Sequence, residues 1–203
     1  MKIKVCGMRN SENVSSLLVL KPDFVGFIFY NKSKRFVADF PEVEFPSDVK
    51  KVGVFVNESE GEIIKKVNQY QLDFVQLHGD ETPQFCDKLK FRQEVKIIKA
   101  FSIDGKFDFD ETKAFENYCS YFLFDTKGVN YGGNGIKFNW EILQNYKGNI
   151  PFLLSGGISK NDVLEVNKIN HLNFIGVDVN SGFEIEPALK NIEKLKEFKN
   201  NLV

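Results

Sequence analysis

Cys6, Arg35, His78 and Asp125 carry groups that move protons or hold anions, and each stands where a short apolar run ends or just beyond it. A free thiol is about 3% thiolate at pH 7, and nearby cations or helix amides raise that share. Lys4-Val5-Cys6-Gly7-Met8-Arg9 places two cations beside Cys6, a junction that suits catalysis. An apolar setting favours the neutral form of a carboxyl group, and Phe122 and Phe124 are expected to supply one for Asp125. Arg35 presents a planar fork suited to a carboxylate. His78 either lines the same site or braces the loop that carries it. Taken singly, a cysteine is more often a small buried hydrophobe, an aspartate a turn former and a histidine a structural group. Their shared position after successive apolar runs argues for chemistry.

Two glycine-rich segments add an anion site. Ser155-Gly156-Gly157 precedes a helix start at Ser159, and Asp178-Val179-Asn180-Ser181-Gly182 follows the last apolar run. Both expose unshielded backbone N–H groups, and a helix amino terminus after Ser159 adds partial positive charge, so a phosphate is the expected occupant. A third cluster, Gly128 with Gly132-Gly133-Asn134-Gly135, follows Asp125 and is long enough for a lid. The groups expected to face a ligand on this rim are Arg35, His78, Gly133, Gly156, Gly157, Asp178, Asn180, Ser181 and Gly182, together with Cys6 and Asp125.

Eight runs have the length and composition of strands: 3–6, 24–28, 52–56, 74–77, 95–99, 121–124, 152–154 and 174–177. Phe122-Leu123-Phe124 and Phe152-Leu153-Leu154 are apolar at consecutive positions, as in parallel strands covered on both faces. Helix starts fall between them. Asn10-Ser11 caps the stretch from Val14 to Leu20, and Ser59 with Glu62 and Ser159 with Asp162 have capping-box spacing. Thr82-Pro83 and Glu186-Pro187 place proline at a first helical position. Between the second and third runs Pro41 and Pro46 leave room for one short turn or none. The alternation predicts an α/β fold, a compact (β/α)8 barrel over 1–203 as one domain, with an open doubly wound sheet as the competing arrangement.

Composition narrows the partners. A chain of 203 residues, 42% hydrophobic, has enough apolar material for one full core. A formal charge of −1 with both signs interspersed argues against nucleic acid. No apolar run reaches the roughly 18 residues that span a bilayer, so no membrane contact and a cytoplasmic location are expected. Cys6, Cys86 and Cys119 lack paired metal spacing, and free thiols with no metal are expected. Cys86 and Cys119 are read as structural.

The residues together resemble the phosphoribosylanthranilate isomerase family from end to end. The likeness runs through Lys4-Val5-Cys6-Gly7, Gly26-Phe27-Ile28-Phe29-Tyr30, Ser33-Lys34-Arg35-Phe36-Val37 and Val52-Gly53-Val54-Phe55-Val56-Asn57. It continues through Val75-Gln76-Leu77-His78-Gly79-Asp80-Glu81, Phe124-Asp125-Thr126, Gly132-Gly133-Asn134-Gly135, Ser155-Gly156-Gly157-Ile158 and Gly176-Val177-Asp178-Val179-Asn180-Ser181-Gly182. Met8-Arg9, Lys34, Asn134, Ile136 and Asn139 depart from the usual pattern without removing a catalytic group. The resemblance implies a (β/α)8 barrel in which Cys6 is the general base, Asp125 the general acid and Arg35 the ligand for an anthranilate carboxylate. It further implies an Amadori rearrangement of a phosphorylated aminoaldose, in tryptophan biosynthesis, by a monomer or homodimer that needs no redox cofactor or metal. Two other readings stay open: another phosphosugar isomerase on the same barrel, and a non-catalytic barrel that binds a phosphorylated metabolite.

Overall fold

The computed structural model of the chain describes residues 1–126 and 138–203. Eight parallel strands close into a barrel in sequence order. They are β1 (Lys2–Cys6), β2 (Phe24–Ile28), β3 (Lys50–Phe55), β4 (Phe74–Leu77), β5 (Lys96–Ile103), β6 (Tyr121–Thr126), β7 (Phe152–Leu154) and β8 (Phe174–Val179). Closure by the β1–β8 pair, with Lys4 opposite Asp178, replaces the open sheet that the alternation also allowed.

Side chains alternate between two cores because successive residues of a strand face opposite sides. Phe24, Val52, Phe74, Ile98, Leu123 and Leu153 form one buried cluster, the filling of the barrel interior. Their neighbours Val25, Phe27, Val75, Phe122, Phe124, Phe152 and Leu154 belong to the larger cluster between barrel and outer layer. Phe24, Phe74 and Tyr121 meet ring to ring within the interior, with centroids 5.4 to 5.9 Å apart. The same alternation decides the setting of Asp125. Phe122 and Phe124 face the outer layer while Asp125 faces inward, so the apolar setting expected from them is not supplied by those rings.

The outer layer is uneven. α1 (Ser11–Leu18) starts on Asn10, whose side chain accepts the Asn13 N–H, and α2 (Glu60–Tyr70) starts on Ser59. α3 (Pro83–Arg92) has Thr82 as its cap and proline in its first turn. After β5 and β7, and in the described part of the connection after β6, the outer layer holds 3-10 turns at Phe109–Phe115, Lys160–Asp162 and Trp140–Asn145, that at Lys160–Asp162 continuing as α4 (Val163–Asn167). Asp162 accepts from both the N–H and the hydroxyl of Ser159, at 2.7 and 2.8 Å, which closes that box. Residues 29–49 hold no helix, in keeping with the two prolines.

One expectation fails. Pro187 does not open a helix: Glu184–Glu186 and Leu189–Lys190 form a small antiparallel pair, β9 and β10, and Pro187 lies in its turn. The helix α5 (Ile192–Asn200) begins later, on Asn191. Proline suits a tight turn as well as a first helical turn, and the spacing did not separate the two. Among the described residues no helix is long and apolar enough to cross a membrane.

Candidate active site

Above the apolar filling, the inward positions turn polar toward the carboxyl ends of the strands. Lys4, Gln76, Asp125 and Asp178 are buried there. Gln76, Asp125 and Asp178 reach a cavity of about 650 Å³ that is also lined by Cys6, Arg35, His78, Gly156, Gly157, Asn180, Ser181 and Gly182. Every expected site residue within the described chain therefore lies on one cavity. Gly133 and the whole Gly128–Gly135 cluster, with Asn134 and Ile136, lie outside the described residues. Asn139 caps the 3-10 turn at Trp140.

Cys6 ends β1 and is buried. Burial pushes its thiol up, with Lys4 and Lys190 working the other way. This corrects the expectation of an enriched thiolate, because desolvation outweighs the cations. Arg9 is exposed and lines a separate shallow groove with Ser11, Phe36 and Asp39. Lys4 is wholly buried, 2.9 Å from Asp178. Desolvation disfavours its charge, but Asp178 and Cys6 outweigh that and hold the ammonium above its ordinary range. Burial lifts the Asp178 carboxyl, opposed by Lys4.

Across the mouth, His78 Nε2 lies 3.2 Å from Asp125 Oδ2, and Gln76 Nε2 lies 2.7 Å from His78 Nδ1. With the Gln76 amide donating to Nδ1, the ring hydrogen sits on Nε2 and is donated to Asp125. His78 thus lines the pocket. The fourth loop is braced elsewhere: Lys99 donates to the Gly79 carbonyl at 2.6 Å and pairs with Glu81 at 3.1 Å, while Glu81 also accepts the N–H groups of Asn57 and Gly79.

Arg35 is not a free surface charge. Its Nε and Nη2 donate to Glu184 at 2.8 and 2.6 Å, leaving the remaining N–H groups for a ligand. Glu184 also accepts from Lys190 Nζ at 2.6 Å and from Ala188 N–H at 3.0 Å. Burial works to raise this carboxyl, but Arg35 and Lys190 outweigh it and hold it down at about 2. Arg35 and Lys190 thus share one carboxylate, and burial lowers Lys190 below its ordinary range. Lys190 Nζ also donates to Asn180 Oδ1 at 2.9 Å, and its backbone is clasped on both sides by Asn13.

Gly156 and Gly157 take left-handed backbone angles, φ +93° and +67°, so consecutive N–H groups can converge on an anion. A side chain at 156 would meet Thr126 Oγ1 at 2.1 Å. The helix expected after Ser159 is a single 3-10 turn followed by five residues, and a 3-10 turn also follows Asn180. With little helix dipole available, the loop N–H groups are what these segments offer to an anion.

Gln76, Glu184 and Lys190 were not among the expected site residues. Gln76 was legible as an inward position two before His78, whereas the burial of Lys190 depends on Asn13, distant in sequence. Cys86 and Cys119 lie outside the cavity, both buried and unbridged.

A closed parallel barrel with its polar cavity at the carboxyl ends of the strands defines a (β/α)8 barrel of the enzyme type. Residues 3–201 match the family model for N-(5'-phosphoribosyl)anthranilate (PRA) isomerase. The chain is 47% identical to N-(5'-phosphoribosyl)anthranilate isomerase of Parabacteroides distasonis, over 98% of this chain and 91% of the relative. It is also similar to the crystal structure of phosphoribosyl anthranilate isomerase from Thermotoga maritima, with TM-score 0.87, 34% identity and coverage of 99% and 98% of the two chains. A further solved phosphoribosyl anthranilate isomerase, in complex with reduced 1-(o-carboxyphenylamino)-1-deoxyribulose 5-phosphate, superposes with TM-score 0.83 at 32% identity over 99% and 97%. The chain belongs to the N-(5'-phosphoribosyl)anthranilate isomerase family.

Proposed function

We propose that this chain converts N-(5-phosphoribosyl)anthranilate to 1-(2-carboxyphenylamino)-1-deoxyribulose 5-phosphate, in tryptophan biosynthesis. The observation that carries the reading is the presence of Cys6 and Asp125 on one cavity whose rim also holds Arg35 and the glycine loops after β7 and β8. Family membership and the relative's bound aryl ribulose phosphate support it.

Asp125 protonates the furanose ring oxygen as the C1′–O bond opens, giving an iminium at C1′. Cys6, as thiolate, takes the C2′ proton, and the C–H electron pair forms the enolamine. Protonation at C1′ and loss of the enol proton yield the ketone, so the reaction is a net isomerisation. Burial makes the thiolate scarce but more basic, which suits removal of a carbon-bound proton. Arg35 binds the aryl carboxylate, and Gly156, Gly157, Ser181 and Gly182 bind the phosphate. His78, Asp178 and Asn180 line the sugar between them. On this reading the enzyme works in the cytoplasm, as a monomer or homodimer, with residues 1–203 acting as one catalytic domain.

The decisive assay follows the loss of phosphoribosylanthranilate fluorescence, with a bis-phosphorylated aminoaldose as competing substrate. Turnover of the anthranilate compound is expected. Preference for the second substrate would point to a different phosphosugar isomerase, and binding without turnover to a non-catalytic barrel.

A further inference from the structure

We propose that Lys4 is the positioning residue for the chemistry of Cys6, that Asp178 competes with the sulfur for the Lys4 ammonium, and that Gly26 leaves the space in which sulfur and ammonium meet. The proposal rests on Cys6 as the base of the reaction above and names the charge that serves it.

Three strands converge on the contact. Lys4 and Cys6 are two apart on β1, so both side chains point into the barrel. Cys6 is in register with Gly26 of β2, and Lys4 with Asp178 of β8. A Cβ at position 26 would lie 2.8 Å from Cys6 Sγ and 3.2 Å from Lys4 Nζ. The sulfur and the ammonium therefore lie over the same glycine, where each acts on the other's charge. Glycine weakens a strand interior, and the close approach over it gives this one a reason.

Lys4 has three N–H donors and no access to solvent. One donor goes to Asp178 Oδ1 at 2.9 Å, which leaves donors for the sulfur. The other charges facing Cys6 are Asp178 from β8, Lys190 from β10 and Arg35 from the segment after β2. Asp125 and His78 act on Asp178. Lys190 and Arg35 share Glu184, which offsets their charge. Lys4 is the charge that acts most strongly on the sulfur. When the thiolate takes the C2′ proton, the S–H bond forms and the carbon's electron pair moves into the enolamine. Lys4 keeps its own proton and turns its hydrogen bonding toward Asp178.

The pH dependence of iodoacetamide alkylation at Cys6, read by peptide mass spectrometry, tests this without substrate. Asp178→Asn frees Lys4 for the sulfur and is expected to lower the alkylation midpoint by about one pH unit. The neutral pair Lys4→Met/Asp178→Asn is expected to raise it by about one unit or more, and Lys4→Gln/Asp178→Asn gives the same reading if the first pair does not fold. Lys4→Arg keeps the charge and is expected to hold the midpoint near its original value. Shifts of one sign in both backgrounds, or a neutral pair that leaves the midpoint in place, would overturn the proposal. A purely structural Lys4 would lower thermal stability without moving the midpoint. Failure of the isomerase reading would show separately, as absence of turnover in the unsubstituted protein.

Discussion

Glu184 grips Arg35 through both Nε and Nη2, at 2.8 and 2.6 Å, and so fixes the plane of the guanidinium that faces the cavity. Arg35 lies in the long connection after β2, where a side chain alone would lose rotamer freedom on binding; the carboxylate orders it beforehand. Arg35→Ala is expected to raise KM for phosphoribosylanthranilate by at least tenfold with kcat little changed. Glu184→Gln is expected to raise KM by about threefold to tenfold, the scale of a lost charge-assisted hydrogen bond. Steady-state kinetics on the two variants and their combination check this, and additive effects would count against the coupling.

The same carboxylate makes stability depend on acidity. Glu184 is held at about 2, below its ordinary value of 4.5, so its contribution is present above pH 4.5 and is lost as pH falls toward 2. Allowing for solvent at the rim, the loss is about 2 kcal/mol. Urea denaturation of the protein and of Glu184→Gln at pH 7 and pH 2.5 should show a stability gap at the higher pH that narrows at the lower one.

Proton transfer is assigned to two groups on opposite sides of the mouth. Cys6→Ser and Asp125→Asn are each expected to lower kcat by about 10² to 10⁴. Near-native turnover by either variant would remove that residue from its role.

His78 contacts Asp125 at 3.2 Å, with its other ring nitrogen 2.7 Å from Gln76. His78→Gln is expected to lower kcat about tenfold, or about 1.4 kcal/mol, with a smaller change in KM. An effect confined to KM would make His78 a binding residue alone.

Gly182 lies so close to the β7 loop that an added Cβ would sit 2.2 Å from the Ile158 carbonyl oxygen. Backbone must move to admit it, so Gly182→Ala is expected to separate the two loops. The inhibition constant of inorganic phosphate should rise by about tenfold, equivalent to about 1.4 kcal/mol. An unchanged constant would take the phosphate site elsewhere.

Strand order and the principal site positions were readable from the chain because a buried parallel strand leaves a short apolar run, and a barrel brings the residue after each run to one rim. Cys6, Asp125, Asp178 and the two glycine loops follow from that geometry alone, and the prolines at 41 and 46 announced the missing helix. Facing was harder. Phe122 and Phe124 adjoin Asp125 in the chain yet lie on the other side of the sheet, so neighbours in sequence did not give its surroundings. Pro187 fitted a helix start and a hairpin turn equally well. Lys190 and Glu184 reach the site through long-range contacts, one of them to Asn13 at the start of α1. The behaviour of Cys6 had the same origin: Lys4 and Arg9 looked equivalent in sequence, but strand pairing buries one beside the sulfur and leaves the other in solvent. Local pattern therefore specified which chemical groups are present and on which rim. Burial and charge pairing, which depend on residues far apart in the chain, specified how each group is poised.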